Sequence, residues 1–307
     1  MMKKTSQLPK RLFYVWFGDD MPADVHACIQ TWKLAMPDYE IIKIGEEKSE
    51  WFDFKATLEQ CQWLKAVYDR KLWAYVSDYV RLKVLHDYGG IYLDTDVTAS
   101  KSFDPLLSAS LFVGFQSPTE VNGAIIGGVK HHPFLKSMLD YYEKNEIFKG
   151  PRHLLPEIMT YILKRDYNFA PFDSRRVSKI TRLLDIIIYP EETFYPFRYG
   201  EKFSDNCLTK NNFSIHWWKA SWRNEEDMEW LKTGRLTYLE KLKQGNLPPQ
   251  ENIPQQVTSS CPKWLYRVKR KSFGVKYYIF GLPLIVVRKP RHREYVYLFN
   301  TIPLYGK

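Results

Sequence analysis

The chain is predicted to fold as an α/β protein, and three features carry that prediction. Arg11 to Phe17 is an apolar, aromatic-rich run that stops at Gly18-Asp19-Asp20, the pattern of a buried strand giving way to a loop. Leu72, Tyr75, Val76, Tyr79, Leu82 and Leu85 recur at helical spacing and define a buried helix face, which Gly89-Gly90 brings to a stop. The apolar run Ile91-Tyr92-Leu93 follows, and Asp94 and Asp96 fall where that strand ends, the usual ligand crevice of an open α/β sheet.

The remaining elements follow in chain order. Pro22 suits a first helical turn. Leu111 to Phe115 and Ala124 to Gly127 read as buried strands, with Glu120 and Asn122 in the loop between them. Phe134 to Tyr142 reads as an amphipathic helix, and Leu154 to Leu163 as another, with Pro156 at a first turn or a break. Asp185 to Tyr189 and Phe213 to Ile215 are later strands, and Glu225 to Leu242 is a surface helix. The expected organisation is a catalytic domain over 1–243, a linker over 244–262 rich in Gln, Pro, Asn and Ser, and a basic aromatic tail over 263–307.

Asp94 and Asp96 offer carboxylate oxygens to a hard cation such as Mn²⁺ or Mg²⁺, which bridges protein acids and substrate phosphates. On the preceding helix, at about 100° per residue, Asp78 falls inside the apolar arc and Arg81 at its edge. Unpaired burial of either costs roughly several kcal/mol, so each needs a partner: the other, the backbone or a ligand. An i,i+3 ion pair and a ligand-binding pair both satisfy that demand. Trp16, at a strand end, suits the core or a nucleobase. His216, after the apolar Phe213 and Ile215 in a Trp-rich loop, suits a metal or a satisfied structural site. Glu120 and Asn122 suit either a cleft or a surface turn.

The segment SDYVRLKVLHDYGGIYLDTDV, Ser77 to Val97, resembles the sugar-nucleotide-binding segment of the DxD enzymes grouped as glycosyltransferase family 32, which resemble in turn the glucosylating domains of large clostridial toxins. PKRLFYVWFGDDMP (9–22), CIQTWKLAMPDYE (28–40) and SIHWWKASW (214–222) are similar to the opening strand, the first helix with its second strand, and the closing motif of that family. The resemblance covers roughly residues 9 to 223. It implies a GT-A-like fold with a mixed, mostly parallel sheet, a nucleotide-sugar donor and retention at the anomeric carbon. It also implies roles: Trp16 against the base; Asp78, Arg81 and Tyr92 on the donor; Asp94 on ribose or metal; Asp96 on metal; His216 on the metal and diphosphate. Ser221 and Trp222 then contact the donor, and Glu120 and Asn122 the acceptor or transferred sugar. UDP-sugars are favoured over GDP-mannose, the donor class of related yeast mannosyltransferases.

Composition sets the outer bounds. With 307 residues, 45% apolar, the chain can bury a sizeable core and is not a disordered protein. Cys28, Cys61, Cys207 and Cys261 show neither CxxC nor regular spacing, so neither a zinc site nor a disulfide framework is expected. Short apolar content behind Lys3 and Lys4 gives no secretory signal, and the expected location is cytoplasmic. Net charge is +10, and the tail alone holds eleven Lys or Arg against one acid, Glu294, so the rest of the chain is neutral. The longest apolar run there, Tyr277 to Val287, is shorter than the roughly 17–25 residues that span a bilayer. Interleaved cations and aromatics suit the anionic inner face of a cytoplasmic membrane, as on bacterial enzymes that build capsule, O-antigen or lipopolysaccharide on lipid-linked acceptors; a solvated basic face with short hairpin strands is the other reading. No nucleic-acid-binding module is recognisable. The expected function is metal-dependent glycosyl transfer to a saccharide acceptor. A phosphohydrolase or nucleotidyltransferase, and a noncatalytic binder, are the alternatives.

Overall fold

A computed structural model describes residues 7–18, 20–149, 152–170, 177–219 and 225–245, and the strands that lie within 266–306. The chain divides into two compact units, Met1–Glu251 and Asn252–Lys307. In chain order the first contains β1 (Arg11–Val15), α1 (Ala23–Ala35), β2 (Glu40–Ile44), α2 (Phe54–Gln60), α3 (Gln62–Asp69), α4 (Trp73–Tyr88), β3 (Gly90–Leu93) and β4 (Val97–Ala99). There follow β5 (Leu111–Ser117), β6 (Glu120–Gly128), α5 (Pro133–Glu143), α6 (Leu155–Tyr167), β7 (Thr181–Leu183), β8 (Ile186–Tyr189), α7 (Glu191–Phe194), β9 (Ser214–His216) and α8 (Glu225–Lys243).

Seven strands form one mixed sheet in the order β2-β1-β3-β6-β5-β8-β7. Strands β2, β1, β3, β5 and β8 run the same way, while β6 and β7 run against them. This is the GT-A-like α/β arrangement, with parallel strands whose C-terminal ends open a crevice. Side chains alternate across the sheet, so Phe13 and Val15 of β1 join Tyr92, Val113 and Ile126 in a core covered by α3 to α6. Tyr14 points the other way and packs edge-on against Trp32 of α1, ring centroids 5.7 Å apart. Trp32 in turn donates its indole N–H to the Val97 carbonyl at 2.7 Å, tying α1 to β4.

The turn between α4 and β3 depends on its two glycines. Gly89 caps the helix at φ 69°, its N–H bonded to the Leu85 carbonyl at 2.9 Å, and Gly90 follows at φ 133°. A Cβ on Gly90 would sit 2.9 Å from the Arg11 carbonyl of β1, and one on Gly89 would sit 2.7 Å from the Lys130 backbone nitrogen, so each glycine allows a close backbone approach. Helix α4 itself is buried more widely than its spacing indicates: Val80 and Val84 are fully covered as well. Leu72, by contrast, precedes the helix and is 42% exposed, so it does not join the buried face. Pro156 lies in the first turn of α6, where its missing N–H costs nothing. Glu120 and Asn122 lie on β6 itself rather than in a loop, because that strand starts at Glu120.

The second unit is a five-stranded antiparallel meander of β10 (Tyr266–Lys271), β11 (Gly274–Ile279), β12 (Leu282–Arg288), β13 (Tyr295–Leu298) and β14 (Ile302–Gly306). Register shifts fall beside Pro283 and Pro303, as expected where a residue without an N–H enters a ladder. The two similar segments at 278–284 and 297–304 each span the end of one strand and the start of its antiparallel neighbour.

Replacing Gly90 by Ala is expected to cost about 1–3 kcal/mol of unfolding free energy in a urea titration, through strain at a positive φ and the clash with Arg11. An unchanged midpoint contradicts the packing described.

Candidate active site

Residue Arg81 organises one wall of the crevice. Its guanidinium is 4% exposed, and all five N–H groups have partners. Nε donates to the Ser77 carbonyl at 3.1 Å, and Nη1 to the Gly123 carbonyl at 2.8 Å and to Asp94 Oδ2 at 3.2 Å. Nη2 reaches Ser77 Oγ at 2.9 Å, Asp78 Oδ1 at 3.0 Å and Asp94 Oδ1 at 3.1 Å. Both demands read from the helix are thus met within the protein: Asp78 and Arg81 pair, and Arg81 pairs further with backbone and with the DxD motif. Tyr92 completes the support. Its hydroxyl donates to Asp94 Oδ1 at 2.8 Å, and its ring lies 4.5 Å below the guanidinium carbon.

The other wall is brought in from far along the chain. Strands β4 and β9 form a two-stranded antiparallel ladder in which Val97 pairs with His216. His216 Nε2 therefore lies 3.3 Å from Asp96 Oδ1, and ligand atoms of Asp94, Asp96 and His216 fall within 4.8 Å of one another. His216 Nδ1 is buried and has no partner. Two carboxylates and an imidazole fit a divalent cation such as Mn²⁺ or Mg²⁺. Asp96 also accepts from the Lys219 backbone N–H at 2.7 Å. Burial would raise its pKa, but the His216 imidazole, Arg235 and that N–H outweigh burial and hold it down at about 2. Asp78 behaves oppositely: burial, reinforced by Asp94 and only partly offset by Arg81, pushes its carboxyl up to about 7.

A cavity of about 710 Å³ joins these residues. Trp16, Asp78, Arg81, Tyr92, Asp94, Asp96, Asn122 and His216 line it, as do Trp73, Tyr75, Gln116, Leu154, Pro156, Tyr199, Trp218 and Lys219. Glu120 is not among the lining residues; its carboxylate instead accepts from Gln116 Nε2 at 3.0 Å. Gln116 takes the cleft position beside Asn122, whose Nδ2 donates to Gln116 Oε1 at 2.6 Å. Its signal in the sequence is a carboxamide ending the buried run Leu111 to Phe115, at the crevice end of a parallel strand. Ser221 and Trp222 lie outside the described residues. Trp218 is in the site, its ring centroid 4.3 Å from that of His216, while Trp217 is buried with its indole N–H on Thr98 Oγ1 at 2.9 Å.

Fold and site together define a GT-A-type α/β protein with a DXD motif at the mouth of its sheet. Residues 22–113 match the family described as the glycosyltransferase sugar-binding region containing DXD motif. It is 31% identical over 133 residues to inositol phosphoceramide mannosyltransferase 3 of Schizosaccharomyces pombe, covering 43% of this chain and 36% of the yeast protein. It is 30% identical over 183 residues to human alpha-1,4-N-acetylglucosaminyltransferase, covering 57% and 51%. The matched stretch is thus well short of the length of these relatives. Among solved structures it is similar to the galactosyltransferase LgtC in complex with donor and acceptor sugar analogs, at 12% identity and TM-score 0.44, over 80% of this chain and 98% of that one.

The raised pKa of Asp78 makes stability depend on pH. A carboxyl that holds its proton to about 7 in the fold, but to 3.8 when free, contributes stability below pH 3.8 that is lost as pH rises through 7. Metal-free wild type is therefore expected to lose stability relative to Asp78→Asn between pH 4 and 7 and to run parallel to it above; chemical denaturation across that range measures the difference.

Proposed function

We propose that the protein transfers a hexosyl group from a nucleotide sugar, a UDP-sugar by preference, to a saccharide acceptor with retention of the α configuration. The observation that carries this reading is the joining of Asp94, Asp96 and His216 with Trp16 and Arg81 in one cavity. Its volume lies within the roughly 300–1,000 Å³ usual for small-molecule sites. Asp94, Asp96 and His216 would hold the divalent ion, which when bound offsets charge on a departing diphosphate. Arg81 has no N–H to spare, so its contribution is to orient Asp94 and to supply positive charge behind it. Trp16 is placed to receive a nucleobase, and Gln116 and Asn122 to contact the transferred sugar or the acceptor. In the transfer the bond from C1 to the diphosphate oxygen breaks, the acceptor oxygen bonds to C1 on the same face, and the acceptor proton passes to the departing diphosphate.

Support for retention comes from the relatives, which include alpha-1,4-N-acetylglucosaminyltransferase and, from mouse, lactosylceramide 4-alpha-galactosyltransferase, enzymes named for α-linkages. Ceramide lipids recur in the names of relatives, which favours a lipid-linked saccharide as acceptor. The setting proposed is surface polysaccharide synthesis in a bacterium, such as capsule, O-antigen or lipopolysaccharide, at the inner face of the cytoplasmic membrane. No described helix is long and apolar enough to cross a membrane. The strands of the second unit fall within the basic tail, which holds eleven Lys or Arg against one acid, a charge balance that suits anionic headgroups. In the β10–β11 register Lys269 is paired with Lys276.

With Mn²⁺ and a panel of nucleotide sugars, one UDP-sugar is expected to raise the thermal midpoint, by roughly 2.7 kcal/mol of stability at a hundredfold excess over Kd. Asp94→Asn and Asp96→Asn should abolish both the shift and glycoside formation. Release of phosphate, or attachment of the nucleotide, without a glycoside would instead favour a phosphohydrolase or nucleotidyltransferase.

Lys269→Glu/Lys276→Glu is expected to abolish sedimentation with vesicles containing phosphatidylglycerol while donor hydrolysis persists. Cosedimentation equal to wild type removes these two cations from the account.

A further inference from the structure

Behind the cation site lies a buried ionic cluster that the reaction does not explain. Helix α8 carries Arg235, 1% exposed, against Asp24 of α1, 2% exposed, in a direct guanidinium–carboxylate contact through Nη2. The ammonium of Lys219 lies 3.5 Å from the same carboxylate. Lys219 is also the residue whose backbone N–H engages Asp96 Oδ2, leaving Oδ1 beside His216. One connected path therefore runs from α8 through Asp24 and Lys219 to a metal-ligating carboxylate.

This arrangement is a poor way to gain stability. Among the described residues Arg235 Nε and Nη1 are buried without partners, and withdrawing an ion from water costs roughly several kcal/mol that one carboxylate contact repays only in part. Apolar side chains of similar volume would join α1 to α8 at least as well. The pair does, however, divide the Asp24 carboxylate between two cations. Without Arg235 the Lys219 ammonium would be the one cation left beside the buried Asp24 carboxylate among the described residues and would be drawn in from 3.5 Å. Its backbone would follow, and the N–H would leave Asp96. Without Asp24, Lys219 loses its anchor altogether.

We infer that Asp24 and Arg235 are positioning residues for the cation site, fixing Lys219 where its backbone N–H sets the orientation of Asp96. The inference rests on the reading of Asp94, Asp96 and His216 as metal ligands. Loss of supporting partners typically weakens metal affinity by about 10–100-fold, and Arg235→Met and Asp24→Asn are each expected to fall in that range. The measurement is Mn²⁺ titration of the metal-free protein, with free ion counted by electron paramagnetic resonance. Circular dichroism and the metal-free thermal midpoint serve as the check on folding. The double variant should be no weaker than the weaker single, and Arg235→Lys should recover most of the affinity. Lys219→Met, at a residue whose side chain is 29% exposed, gives the same readout should the buried variants not fold. Wild-type binding with folded variants, or Lys219→Met, within twofold of it overturns the positioning role alone. Absence of Mn²⁺ binding by wild type overturns the cation site and this role together.

Discussion

The burial of one guanidinium is the constraint on which the rest of the crevice depends. Arg81 sits inside α4 with nearly all its surface withdrawn from water, which is tolerable only if every N–H finds an acceptor at once. Three separate pieces of chain provide them: Ser77 and Asp78 in one turn of the same helix, Asp94 after β3, and the Gly123 carbonyl on β6. The first carboxylate of the motif is thereby held before any ligand arrives. Gly123 serves twice, because a Cβ there would meet the Leu155 side chain of α6, which would have to move aside.

The second aspartate is governed by different physics. Asp96 immediately precedes β4, and the Trp217 N–H to the Asp96 carbonyl at 3.0 Å carries the β4–β9 pairing on to it and fixes its backbone. Its carboxylate then faces an imidazole and a backbone N–H and stays ionised to low pH, whereas Asp78, a short distance away, holds its proton almost to neutrality. Two acids in one cavity thus titrate far apart, and the difference arises from who their neighbours are rather than from depth.

Much of this was legible in the sequence because it is periodic. The helical wheel places Asp78 and Arg81 near the buried face of α4, and the structure gives the charge a set of partners that satisfy both residues. Apolar runs locate β1, β3, β5, β6 and β8, and Gly89-Gly90 marks the turn. Where periodicity is short or absent, the reading thins. Helices α2 and α3, of seven and eight residues, lie too close together for an amphipathic pattern to repeat. Leu72 has the right spacing but precedes the helix. Glu120 and Asn122 are two residues apart on a strand, yet Gln116, four residues earlier in the chain, shares the cleft because β5 and β6 are paired with a register shift that spacing alone does not disclose. The Asp24–Arg235 contact joins residues more than two hundred positions apart, and no local pattern marks it.

That His216 arrives by a ladder to Val97 also sets a time at which the protein becomes competent. The DXD segment leaves the ribosome early, but the imidazole is residue 216 of 307, and α8 with Arg235 comes later still. Closing so long a span is among the slower steps of folding, because the entropy of the intervening chain must be overcome before the contact rewards it. A nascent or truncated chain therefore carries Asp94 and Asp96 without His216. Such a chain lacks the imidazole that completes the Asp94, Asp96 and His216 cluster.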